Sequence, residues 1–174
     1  LSEQIMKIFF LTLVALALTA CSKPHDKYVG YWQLEDTKYP KVLEIYKEGK
    51  ETYIVNENIL SETDWFGNKK SGTVLEKKEK ELGVNNGLAV ITFNLSDDGK
   101  TLRISNQRYT KISEDDAKQM ITHKKNCESL RLKYREEAKA FNIFARDAQK
   151  VEQDKIKDNY RELQKEIPNC SFGI

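Results

Sequence analysis

The chain has 174 residues, with 29 Lys and Arg against 27 Asp and Glu, a formal net charge of +2, and 32% charged residues with both signs interleaved. That balance excludes the continuous basic field that nucleic-acid binding requires, and the length allows one or two small domains.

Residues 1–5 precede Met6, and an opening Leu suggests a reading frame translated from too far upstream. Residues 6–21, MKIFFLTLVALALTAC, place Lys7 before an apolar run over 8–18, then small residues and a cysteine. This is the charged, apolar, small-residue order of an export signal. The run is shorter than the roughly 20 apolar residues of a membrane span. Leu18-Thr19-Ala20-Cys21 resembles the lipobox of bacterial lipoproteins. The resemblance implies cleavage before Cys21 and a diacylglyceryl group on its thiol. It also implies a place in the bacterial envelope, anchored to the membrane by lipid. Ser22 after the cysteine is compatible with an outer-membrane position facing the periplasm. Residues 22–27 then read as a polar tether, and His25 within it as plain surface, since it lacks partners at metal-ligand spacing.

From 28 to 112 the pattern is of short strands punctuated by turns. Asn86-Gly87 and Asp98-Gly99 accept positive φ between apolar-rich runs, and Glu48-Gly49 is a weaker third signal. The runs cover 29–34, 42–46, 52–55, 74–82, 88–95, 102–105 and 108–112, about seven strands. Alternation groups Leu43 with Ile45, Ala89, Ile91, Phe93 with Leu95, and Leu102 with Ile104. No helix long enough for a parallel crossover separates them, so an antiparallel β-meander, curled or closed, is expected.

Gly30-Tyr31-Trp32 resembles the G-x-W of lipocalins, which implies a Trp at the barrel base beneath a cavity for a small apolar ligand. Read as a residue alone, Trp32 is a large core side chain of the first strand. In the loop between the third and fourth strands, Trp65 and Phe66 are adjacent aromatics in polar surroundings. They either fold back to seal an end of the sheet or project as a contact for a partner protein.

At Ser113 the period becomes helical, with Glu114, Asp115 and Asp116 at the positive end of the helix dipole. Met120, Cys127, Tyr134, Phe141 and Ala148 form one narrow apolar seam, and Ile156, Tyr160, Leu163 and Ile167 a second, before Pro168 stops the helix. Setting Cys21 aside leaves Cys127 and Cys170 in an exported chain, where disulfides persist. In one continuous helix they would lie roughly 60 Å apart. An intramolecular bond therefore requires a hairpin that turns close to the midpoint at Ala148 and Gln149, with 142–147 the expected break, while a bond between chains would suit self-assembly. The expected class is α+β: residues 28–112 an antiparallel β domain, 113–174 a helical hairpin.

No catalytic residue, metal site or cofactor motif is found. His123 beside Lys124 and Lys125 has no nucleophile at a recognised spacing, and Asp97-Asp98 and Asp115-Asp116 are explained by a turn and a helix start. Phosphate cradles, zinc-spaced cysteines and nucleotide fingerprints are not found either. The leading expectation is a non-catalytic lipoprotein that binds another protein, of the inhibitor or immunity type. The alternatives are a lipocalin-like carrier of a small apolar ligand and a structural lipoprotein that assembles with itself. An apolar cavity of a few hundred Å3 separates the carrier from the rest.

Overall fold

The computed structural model describes residues 23–61, 71–140 and 147–174. Eight antiparallel strands close into a barrel in chain order, each paired with the next and the last with the first. They are β1 (Gly30–Leu34), β2 (Val42–Glu48), β3 (Thr52–Asn56), β4 (Thr73–Lys78), β5 (Glu81–Asn85), β6 (Val90–Leu95), β7 (Thr101–Ile104) and β8 (Gln107–Ile112). Closure is made by β1 on β8, with Trp32 opposite Lys111 and Leu34 opposite Tyr109. A closed barrel leaves no unpaired sheet edge, which is how an all-antiparallel sheet of such short strands satisfies its backbone.

The expected meander is thus present, with one strand more than the seven read from sequence. The run over 74–82 divides, because Glu79 adopts φ +52° and reverses the chain between β4 and β5. Lys-Glu-Lys-Glu carries no Gly, Asn or Asp to announce that turn. The announced turns are where expected: Gly49, Gly87 and Gly99 all have positive φ. Asn86 Oδ1 accepts from the backbone N–H of Leu88 and Ala89, at 3.0 and 2.9 Å, and Asp98 Oδ1 from that of Lys100 at 3.0 Å.

Alternation sends one side chain in two inward. Leu43, Ile45, Tyr53, Val55, Leu75, Leu82, Phe93, Leu102 and Tyr109 are buried inside the barrel together with Trp32 and Tyr28. The residues expected to form a tether do not act as one. Lys23 to Tyr28 fold across the barrel base, with a 3-10 turn at Asp26–Tyr28. Asp26 Oδ1 accepts from Lys47 Nζ and from Tyr53 OH, each at 2.6 Å. His25 is 8% exposed, not on the surface, with its ring 5.9 Å from that of Tyr53.

Ser113 caps the first helix, α1 (Glu114–Ala138), its Oγ accepting from the Asp116 N–H at 3.0 Å. The helix lies outside the barrel, where Ala117, Met120 and Ile121 meet Val42, Leu60, Ile59, Tyr31 and Ile112. The second helix, α2 (Asp147–Lys165), returns along α1. Cys127 and Cys170 are bonded within the chain, with Cα atoms 5.4 Å apart, so of the two expected alternatives the hairpin is present rather than a bond between chains. Tyr134 packs against Tyr160 and Phe172, and the Tyr160 hydroxyl donates to Glu137 at 2.7 Å. The turn expected within 142–147 falls almost wholly outside the described residues, as does Phe141 of the first seam. Among the described residues, no helix is long and apolar enough to cross a membrane.

Candidate ligand site at the barrel mouth

The two ends of the barrel are built differently. The base is plugged. Trp32 is fully buried, and its Nε1 donates to the Tyr28 carbonyl at 2.9 Å, while the Tyr28 hydroxyl donates to the Phe93 carbonyl at 3.1 Å. Lys111 sits over the indole with Nζ 5.0 Å from the ring centroid and donates to the Lys27 carbonyl at 3.1 Å. Burial holds its ammonium below the ordinary lysine range. A cation over an indole face is worth about 0.5–2 kcal/mol, more as water is excluded. Gly30 is part of the same device: a Cβ there would stand 3.0 Å from Lys111 Cε, and its φ of +134° is one that other residues rarely adopt.

The opposite end is open. Because β1 leaves the base and each later strand reverses, the loops 35–41, 86–89 and 105–106, with residues 57–61 after β3 and 71–72 before β4, all gather at this mouth. Between them lies a cavity of about 360 Å3. Its wall is apolar, made by Leu43, Val55, Val84, Ile91, Phe93, Ile104 and the ring of Tyr109, and its rim carries Lys41, Glu57, Asn58 and Gln107. The size falls in the range of small-molecule sites, as does the pairing of a mainly apolar wall with a few polar groups. The Tyr109 hydroxyl donates to Gln107 Oε1 at 2.8 Å. Burial, with the Glu57 charge nearby, raises the Tyr109 pKa.

Chemically, this arrangement can exclude water from an apolar group and orient a polar end at the rim. Among the described residues its lining holds no Ser, Thr, Cys or His, and no group of three or more His, Cys, Asp or Glu is placed to hold a metal ion.

The residues singled out from sequence are distributed unevenly around this site. Ile91, Phe93, Leu43 and Ile104 line the mouth, while Trp32 closes the other end. Cys127 and Cys170 lie on the hairpin. Cys21, the expected lipid-attachment residue, and Trp65 and Phe66, the expected partner contacts, lie outside the described residues. Sequence reasoning missed Lys111. The signal was its spacing from Tyr109, which puts it on the inward side of β8 opposite Trp32. Comparison of the chain with protein-family models, with curated proteins and with solved structures gave no match.

Proposed function

We propose that the protein is a non-catalytic, lipid-anchored envelope lipoprotein whose barrel takes up a small apolar ligand at its mouth, in the manner of a lipocalin. The observation that carries this reading is the cavity of about 360 Å3, open at one end, apolar along its wall and backed by a plugged base. A packed interior would have argued against a carrier. The anchor reading rests on the lipobox-like Leu18 to Cys21, and the chain enters the fold at the base. A lipid on Cys21, two residues before Lys23, would hold the base toward the bilayer and leave the mouth facing away from it.

Uptake of N-phenyl-1-naphthylamine, an uncharged dye that fluoresces when sheltered from water, tests the carrier. The protein should enhance its emission saturably, and Ile91→Trp, which fills the mouth, should weaken binding by about tenfold or more. No enhancement, or an unchanged Ile91→Trp, contradicts the reading. For the anchor, Cys21→Ser should leave the protein uncleaved or unattached to membranes. A mature, membrane-bound Cys21→Ser protein would refute it.

Capture of a protein partner is a second reading, favoured by one observation. Leu88 and Tyr39, on loops at the mouth, are 95% and 53% exposed. Single large apolar groups on loop tips are common, so this reading needs Leu88→Ser to weaken capture of a partner without loss of dye binding.

A further inference from the structure

Beside the mouth is a second concavity, of about 240 Å3, between α1, the chain after α2 and the loops that precede β2 and follow β3. Its floor is apolar, including Leu60, Met120 and Phe172, and the disulfide fixes the far wall by tying Cys170 to Cys127. Lys41 and Asn58 line both this groove and the mouth cavity, so the two hollows adjoin across one pair of side chains.

The charge of the groove differs from that of the mouth. Among the described residues, Lys41, Lys124 and Arg131 line it against a single acid, Glu128. Glu128 accepts from Lys124 at 2.9 Å and pairs with Arg131 Nη2 at 2.7 Å, and these neighbours lower its pKa against the opposing effect of burial. Among the described residues, one carboxylate thus answers three cations, and Arg131 Nε is buried with no hydrogen-bond partner. An anionic group is the complement of such a wall, since hydrogen bonds between charged partners are the strongest kind available there.

We infer that mouth and groove form one bipartite site for an elongated amphiphile, its apolar end in the barrel and its anionic end among Lys41, Lys124 and Arg131. The inference rests on the carrier reading and adds the head-group chemistry. The ligand would cross from barrel to helices at Lys41 and Asn58. The Cys127–Cys170 bond would then shape the anion-binding half of the site.

The test is displacement of N-phenyl-1-naphthylamine from the intact, disulfide-bonded protein by dodecanoate and by dodecanol. Dodecanoate should bind about tenfold more tightly than dodecanol, the scale of one added charge-assisted bond. Lys124→Gln combined with Arg131→Gln should abolish that preference. Neither residue lines the mouth, so dye affinity should stay within about twofold, which also shows that the variant is folded. Cys170→Ser should reduce the preference as well. Equal binding of acid and alcohol, or a preference that persists in the double variant, overturns the groove assignment and leaves the carrier standing. Failure of the dye itself to bind overturns both.

Discussion

Replacing Trp32 with Ala removes the largest side chain of the barrel interior from a position with no solvent exposure. An indole buries on the order of 200 Å2, which at about 25 cal/mol per Å2 corresponds to roughly 5 kcal/mol as an upper bound. Measured truncations of this kind cost about 3–5 kcal/mol. Two further losses act at the same place. The Tyr28 carbonyl loses its Nε1 donor, and Lys111 loses the ring beneath its ammonium. Set against a domain stability of about 5–15 kcal/mol, a loss of that size lowers the denaturation midpoint steeply. Urea unfolding followed by far-UV circular dichroism measures it, with Trp32→Phe as the graded control that keeps most of the apolar area. A cost below about 1 kcal/mol for Trp32→Ala would refute the base plug as the anchor of the barrel.

Further outcomes are expected elsewhere in the chain. Asp26 has its carboxyl held at about 2, first by the bond from Lys47 and then by that from Tyr53, against an ordinary value of 3.8. A depressed carboxylate pKa stabilises the fold above the ordinary value and loses that effect as the pH falls through the folded one. Asp26→Asn should therefore flatten the acid dependence of the melting temperature between about pH 4 and 2, and an unchanged slope would contradict the assignment. Tyr160 is pushed up to about 12 by burial and by its bond to Glu137. Its contribution is complete below the ordinary value of 10.0 and lost as the pH rises toward 12, so Tyr160→Phe should remove that alkaline loss, read by circular dichroism. Replacing both Cys127 and Cys170 with Ser frees a loop closed over 43 residues, worth about 4 kcal/mol in the chain-entropy model. Proteolysis of α2 should accelerate while the barrel remains folded, and equal protease resistance would refute the staple. Ser113→Ala should cost about 1 kcal/mol through the lost N-cap, measured by urea unfolding.

How much of this was legible depended on whether a residue announced its own geometry. Asn86-Gly87 and Asp98-Gly99 did, because few residues accept positive φ, and the hairpins appear where they stand. Glu79 did not. Its reversal is set by strand pairing on both sides, so one run became two strands and the meander gained the eighth that closes it. The polar composition of residues 22–27 concealed the base of the barrel in a similar way. His25 and Asp26 look solvated in sequence, and only the arrival of Tyr53 and Lys47 from strands β2 and β3 gives them a buried or paired role. The two cysteines were readable by counting as a pair, but the count left a bond between chains open, and only the return of α2 along α1 decides for the hairpin. The mouth was readable only in part. Alternation identifies Ile91, Phe93 and Ile104 as inward residues, but whether inward residues meet or leave space depends on barrel closure, which is a long-range property.

The proposed carrier function requires an apolar ligand to occupy the mouth and no other part of the barrel. Methyl-resolved NMR on protein labelled at Ile, Leu and Val, with N-phenyl-1-naphthylamine added stepwise, tests it at the level of single residues. Val55, Val84, Ile91 and Ile104, which line the cavity, should shift together along one saturable curve, while Leu75, Leu82 and Leu102, buried deeper in the barrel, should move little. Shifts confined to the outer surface or the helices, or no saturable shift at the four mouth residues, would contradict the account.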